Sequence, residues 1–145
     1  MDSLHKPFSQ QLSDMYDMPA RYIMYGILKP VYPSLVENNP SDWKVPDFMC
    51  DKFYHELQVV KSWTIEQTLP NIIIWGRKDK YLCLDKPTIF WALANDCHAC
   101  CWINSNDVKK TPTTLINSSV TQSGKEICRI IPFDCWVFIS LDREE

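Results

Sequence analysis

The hydrophobic pattern of the chain changes its period at Pro70, and this change restricts the possible folds more than any other feature. Before Pro70, apolar residues recur at spacings of three and four, which is typical of helices. After Pro70, short runs of β-branched and aromatic residues alternate with turn residues, which is typical of strands. Residues 1–70 are therefore predicted to be mainly helical and residues 71–145 mainly antiparallel β.

Together these two parts predict an α+β fold in a single globular domain that spans residues 1–145. The chain has 145 residues, of which 46% are hydrophobic, so it has enough apolar surface to bury a core of its own. We expect the N-terminal helices to pack on a C-terminal antiparallel β-meander that closes into a small barrel or a sandwich.

Three helices are predicted before Pro70. The second of them begins at Pro19 and ends before Pro30, and the strongest covers residues 47–61, where Asp47 can cap the N-terminus. The apolar face of the first helix consists of Phe8, Leu12, Met15 and Tyr16. The apolar stripe of the strongest helix consists of Cys50, Phe53, Tyr54, Leu57 and Val60.

Short strands are predicted after Pro70, in two hairpins followed by three further strands. The first hairpin turns at residues 76–79 and the second at Asn95-Asp96, which tolerates a tight turn. The predicted strands cover residues 71–75, 81–84, 88–94, 97–104, 113–121, 125–132 and 135–141.

Composition restricts the partners and the compartment. The formal net charge is −3 and the basic residues are not concentrated in one segment, so a nucleic-acid partner is disfavoured. The longest strongly apolar run, Ile72 to Trp75, is far shorter than the ~20 residues of a membrane span, and no membrane association is expected. The seven cysteines are odd in number, and no apolar signal segment follows Met1. Reduced thiols and a cytoplasmic location are predicted, with the nucleus as the alternative.

The densest cluster of potential metal ligands is Cys97-His98-Ala99-Cys100-Cys101. If Cys97, His98, Cys100 and Cys101 converged on zinc, the protein would be a zinc-stabilised adaptor. In a strand, however, Cys97 and Cys101 would face one way while His98 and Cys100 faced the other. A second Cys-x-x-Cys pair is also missing from the sequence. The prediction is therefore that the protein holds no metal and no other cofactor.

Cysteine-dependent hydrolysis is the enzymatic alternative, and it is the less favoured class. It requires a nucleophilic Cys within hydrogen-bonding distance of a His base, and the candidates are Cys100 with His55 or His98. No His follows residue 98, so the downstream base that papain-like enzymes use is absent. With only three glycines, none at a usable spacing, a Gly-rich phosphate-binding loop is excluded as well.

The remaining hypothesis is a non-enzymatic protein-interaction module that acts by binding another protein, such as a small regulatory or viral accessory protein. Six Trp residues are more than a domain of this size commonly needs for its core, and an exposed Trp often anchors an interface. The predicted binding residues are Trp102 and His98, on the strand face with Cys100, and Trp43 in the Pro-rich connector. The pattern does not determine the oligomeric state.

Overall fold

Nine strands and two α-helices lie in the part of the chain that the computed structural model describes, residues 18–39, 44–64, 67, 69–117 and 124–141. The helices are α1 (Met18–Leu28) and the short α2 (Ser105–Val108), and two 3-10 helices cover Gly76–Tyr81 and Phe133–Cys135. The strands are β1 (Val36–Glu37), β2 (Phe48–Met49), β3 (Tyr54–Val60), β4 (Asn71–Trp75), β5 (Thr88–Ala94), β6 (Ala99–Asn104), β7 (Thr114–Asn117), β8 (Lys125–Pro132) and β9 (Val137–Ser140).

The strands form two sheets. One sheet has six strands in the order β1-β2-β3-β5-β6-β9, and the other has three in the order β4-β8-β7. All neighbours are antiparallel except β3 and β5, which run parallel with Tyr54 opposite Thr88 and Val60 opposite Ala94. The chain passes through β4 in the second sheet on its way from β3 to β5, so the two sheets are connected at this point.

Strand β5 lies at the centre of the fold, and every one of its seven residues is buried. Its continuous apolar sequence is typical of a strand covered on both faces. One face belongs to the first core, which lies between the sheets and comprises Trp63, Ile72, Ile74, Tyr81, Leu82, Phe90, Ala92, Ala94, Ala99, Cys101, Ile103, Val108, Ile131 and Trp136. The other face belongs to the second core, beneath α1, which comprises Ala20, Met24, Leu28, Leu35, Phe48, Cys50, Ile89, Trp91, Leu93 and Cys100.

The predicted helix at residues 47–61 is wrong, because this segment forms β2 and the whole of β3. The apolar residues that suggested a helical stripe serve both faces of a strand: Leu57 and Val59 pack on the second core, and Val60 packs on the first. A strand that is apolar on both faces does not alternate cleanly, so spacings of three and four arise within it. Pairing of β3 with β5 over seven residues then stabilises the extended conformation.

The α+β class is confirmed, but the arrangement of N-terminal helices on a C-terminal meander is not; the strands form two sheets instead. Only one helix, α1, lies in the described part of residues 1–70; it covers the second predicted helix. Strands β1, β2 and β3 from this part join the same sheet as β5, β6 and β9. Because β3 and β5 are parallel, that sheet is mixed. The helix predicted around Phe8 lies outside the described residues.

Among the later strands, the hairpin of β5 and β6 and the positions of β7, β8 and β9 are confirmed. The hairpin predicted for residues 71–84 is wrong, since β4 pairs with β8 and residues 76–81 form a 3-10 helix. Gly76 is needed where β4 enters that helix, because a Cβ there would lie 2.6 Å from the backbone oxygen of Ile127. No helix within the described ranges is long and apolar enough to cross a membrane.

Candidate functional site

A groove with a volume of about 680 Å³ opens between β3 and β4. Its walls are residues 56–62, from β3 and the turn after it, and residues 71–73 of β4. Arg21 and Asp47 close one end, and the side chains of Arg77 and Lys78 from the first 3-10 helix also line it. The volume lies within the range of typical ligand-binding clefts.

Both long walls of the groove are strand edges. Strand β2 pairs with β3 only at Tyr54 and His55, so the edge of residues 56–60 that faces away from β5 has no strand partner among the described residues. Strand β4 pairs with β8 alone, so its other edge faces the groove. The Gln58 side chain bridges the two walls, and its Nε2 donates a hydrogen bond to the Ile73 carbonyl oxygen at 3.0 Å.

The backbone of β3 presents its polar groups to this open edge at every second residue. The Leu57 N–H donates to Asp47 Oδ2 at 2.8 Å, and the Leu57 carbonyl oxygen accepts from Lys78 Nζ at 3.4 Å. Since the N–H and C=O of alternate residues in a strand point to the same side, the backbone groups of Val59 face the open edge as well. Within the described part of the chain, side chains thus close the edge at Leu57, and no group closes it at Val59.

Arg21 connects α1 to the end of the groove and is 5% exposed. Its guanidinium forms an ion pair with Asp47 Oδ1 and a second one, at 3.3 Å, with Glu37 Oε2. Nη2 also donates to the carbonyl oxygens of Asn38, at 2.6 Å, and of Asp47, at 3.2 Å. The planar guanidinium satisfies several acceptors at once, so Arg21 fixes the segment that carries Asp47.

Glu56 lies in the groove with its side chain pointing toward the first 3-10 helix, and it is 8% exposed. One carboxyl oxygen accepts the Asp47 N–H at 3.2 Å, and the other lies 3.3 Å from Lys78 Nζ. Burial, and secondarily the Asp47 carboxylate, raises the pKa of Glu56 to about 8, although Lys78 opposes the change. The Glu56 carboxyl is therefore harder to ionise than a solvated carboxyl group.

Arg77 and Trp75 form the rim of the groove. The Arg77 guanidinium lies 5.6 Å from the centre of the Trp75 ring, and its Nη1 donates to Glu126 Oε1 at 2.7 Å. The half-buried Trp75 thus presents an apolar surface beside the Arg77 guanidinium, which is bound to Glu126. The Glu126 carboxylate and the Trp75 ring together fix the position of the Arg77 guanidinium at the rim.

A second buried polar cluster surrounds His55, which has no exposed surface. Its Nδ1 accepts a hydrogen bond from Trp91 Nε1 at 3.0 Å, and its Nε2 lies 3.6 Å from Cys50 Sγ. Because the indole N–H only donates, the neutral ring carries its proton on Nε2. Burial lowers the pKa of His55 to about 4. An imidazole that is already protonated on the nitrogen facing the thiol does not act as its general base.

The sequence-predicted metal ligands do not converge. The predicted alternation holds for Cys100 and Cys101, since Cys101 lies in the first core and Cys100 in the second. It is wrong for Cys97, which precedes β6 with a positive φ and packs on the second core with Cys100. No group of three or more His, Cys, Asp or Glu side chains suited to a metal ion occurs within the described ranges. Burial raises the pKa of Cys100 to about 11 and also raises that of Cys101, so both remain thiols.

The predicted free face of β6 is only partly present. Cys100 is fully buried, because the second core covers the face that was expected to lie opposite the core. Trp102 is half-buried against Trp91, with the ring centres 6.4 Å apart, whereas His98 is exposed. The binding role of Trp102 and His98 remains a prediction, and Trp43 lies outside the described residues.

The seven thiols provide a test of these burial assignments. Cys83 and Cys135 are exposed, Cys97 is half-buried, and the other four are buried. A maleimide reagent should therefore modify two thiols rapidly in the folded protein, Cys97 more slowly, and the remaining four only after unfolding. Peptide mapping by mass spectrometry identifies the modified sites, and rapid labelling of Cys100 or Cys101 would contradict the two-core arrangement.

None of the groove residues Arg21, Asp47, Glu56 and Lys78 was identified as a site residue from the sequence.

No protein-family model matches the chain, and a search of curated proteins finds no significant relative. The groove is nevertheless the feature of the described structure in which volume, open strand edges and buried charged side chains coincide.

Proposed function

We propose that this protein is a non-enzymatic interaction module that binds an extended segment of another protein in the groove between β3 and β4. The observation that carries this proposal is the pair of strand edges that form the walls of the groove. A strand edge binds an extended peptide through its backbone N–H and C=O groups, and the adjoining pockets select the side chains.

The groove offers both kinds of contact. Val59 supplies the backbone groups on the open edge, between Leu57, whose own groups are occupied, and Lys61. Apolar contact is available from the half-buried Val60, Leu69 and Trp75. The Arg21–Asp47 ion pair is in place before any ligand arrives, so binding does not require this end of the groove to become ordered.

The alternative functions receive less support from the described residues. For a Cys/His hydrolase, Cys50 is the thiol in contact with His55, and both are buried in the second core with the imidazole in the wrong tautomer for a base. For a zinc-stabilised adaptor, Cys100 and Cys101 lie on opposite faces of β6 and are buried in different cores. An interaction surface at Trp102 has one supporting observation, since its neighbour Val137 on the edge strand β9 is 46% exposed.

Selection of peptides from a random library on the immobilised full chain tests the proposal. We expect selected peptides to bind the wild-type protein and to lose about tenfold in affinity with Val59→Pro, which deletes the outward N–H. Val59→Thr is the matched control, because it keeps both the N–H and the β-branched side chain, and it should bind like the wild type. A thermal melt of each variant verifies folding.

Two results would overturn the groove as the docking site. One is that Val59→Pro, folded as judged by its melt, binds the selected peptides as tightly as the wild type. The other is that Trp102→Ala, and not Val59→Pro, abolishes binding, which would place the docking surface at β6 and β9.

A further inference from the structure

The β4 wall of the groove presents unpaired backbone groups as the β3 wall does, and its orientation follows from its pairing with β8. The Phe133 N–H donates to the Pro70 carbonyl oxygen at 2.9 Å, so these two residues form a hydrogen-bonded pair. The next residue, Asn71, lies opposite Pro132, which has no N–H to donate. Bonded and non-bonded pairs alternate along an antiparallel ladder. Asn71 and Ile73 therefore turn their backbone groups away from β8 and toward the groove.

The Gln58 side chain occupies one of these groups, the Ile73 carbonyl oxygen. Within the part of the chain that the structure describes, no group binds the Ile73 N–H or either backbone group of Asn71. On the opposite wall, the backbone groups of Val59 are in the same state. The two walls thus face one groove with unpaired backbone donors and acceptors on both sides.

The separation of β3 and β4 fits one inserted strand. Neighbouring strands of a sheet lie ~4.8 Å apart, so a strand between two others separates them by ~9.6 Å. The Cα atoms of β3 and β4 come within 8 Å of each other at isolated points at most, so the two strands are not neighbours. The Gln58 side chain reaches only ~5 Å from its Cα, yet it donates to the Ile73 oxygen at 3.0 Å. The two backbones are therefore no more than about 10 Å apart at Gln58.

We infer, building on the proposed function, that the bound segment is a single β-strand that pairs with both walls and joins the two sheets into one. The backbone groups of successive residues in a strand point to opposite sides, so one set pairs with Val59 and the other with Ile73. The Gln58 carboxamide has the same donor and acceptor groups as a peptide bond, and it shows that an amide fits against the Ile73 oxygen. Since both sets of amides are used, the partner segment is an uninterrupted strand without proline.

N-methylation of the ligand tests this inference without altering the protein. Each residue of a library-selected peptide is N-methylated in turn, which deletes one backbone N–H, and isothermal titration calorimetry measures the affinity for the wild-type full chain. A strand that is bound at one edge uses the N–H groups of alternate residues only. Pairing with both walls should instead weaken binding about tenfold at each of several consecutive positions.

A substitution in β4 tests the same contact from the protein side. Ile73→Pro deletes the N–H that faces the groove and that β8 does not use, so we expect a folded protein that binds the selected peptides about tenfold more weakly. Ile73→Val is the matched control, because it keeps the N–H and a β-branched side chain, and it should bind like the wild type. A thermal melt of each variant verifies folding.

The outcomes separate this inference from the proposed function. If N-methylation weakens binding only at alternate residues, or if folded Ile73→Pro binds like the wild type, the ligand does not join the two sheets, while the proposed peptide-binding function stands. If no peptide binds, or if N-methylation has no effect at any position, the proposed function fails as well. The N-methylated series uses the wild-type protein, so it decides the question even if Ile73→Pro does not fold.

Discussion

Replacing Asp47 by alanine should lower the free energy of unfolding by about 3 to 5 kcal/mol, the cost typical of breaking a buried ion pair. The substitution leaves the nearly buried Arg21 without its closest carboxylate and the Leu57 N–H without an acceptor. Urea denaturation followed by fluorescence of the Trp residues measures the change. Asp107→Ala is the matched control, because the Asp107 side chain is 59% exposed and its ion-pair partner among the described residues is the exposed Lys110.

The control substitution should cost under ~0.5 kcal/mol, as is usual for an exposed ion pair. A loss below ~1 kcal/mol for Asp47→Ala would contradict the account of this end of the groove. It would mean that Glu37 and the backbone carbonyls satisfy Arg21 without Asp47.

Acid should destabilise the protein through His55 by about 3 kcal/mol between pH 7 and pH 4. In the unfolded chain a His titrates near its ordinary pKa of 6.5, whereas burial lowers the folded pKa to about 4. Between pH 6.5 and pH 4, His55 is therefore protonated in the unfolded state and neutral in the folded state. The contribution to stability is present above pH 6.5 and is lost as the pH falls through the folded pKa.

His55→Phe isolates this effect, because Phe fits an aromatic environment and does not titrate. The difference in unfolding free energy between wild type and variant should change by about 3 kcal/mol between pH 7 and pH 4. Glu56 acts in the opposite direction, since its raised pKa stabilises the fold at low pH and loses this effect as the pH rises from 4.5 to 8. Because both proteins contain Glu56, the difference cancels its contribution.

The pKa of His55 can also be measured directly in the wild-type protein, so this test does not require the variant to fold. The His55 ring resonances in the wild-type protein should titrate near pH 4, and a midpoint close to 6.5 would show that the imidazole is hydrated. In that case the buried cluster with Cys50 and Trp91 would not exist as described.

The later strands could be predicted from the sequence because their signals are local. Thr88–Ala94 is a continuous apolar run, and the turn at Asn95-Asp96 separates it from β6, so strand and hairpin follow from neighbouring residues alone. The alternation of Cys100 and Cys101 between the two faces follows from the same reasoning. In both cases the pattern within a few residues is sufficient.

The conformation of β3 could not be predicted in this way. Its spacing fits a helix, and the competing strand is stabilised by pairing with β5. The first pair in the register, Tyr54 with Thr88, joins residues that are 34 positions apart in the sequence. Likewise, nothing near Cys100 indicates that α1 and Leu35 contribute to a core over its face of β6. Long-range packing determined these features, and a single sequence carries no direct record of it.

The groove was missed for a related reason. Arg21, Asp47, Glu56 and Lys78 come from four separate segments and converge only when α1, β3 and the first 3-10 helix are in place. One signal was available: Glu56 lies within the apolar segment of residues 53–60. A charged residue inside a buried strand requires a partner. If that segment had been predicted as a strand, Glu56 would have been a candidate for a buried ion pair.

The most direct test of the peptide-binding groove is a ¹H–¹⁵N correlation spectrum of the labelled full chain, titrated with a library-selected peptide. The largest amide shift changes are expected in residues 56–62 and 71–78, with Val59 among them, because both walls of the groove contact the ligand. Shift changes confined to Trp102 and residues 137–140, or no changes at saturating peptide, would contradict it.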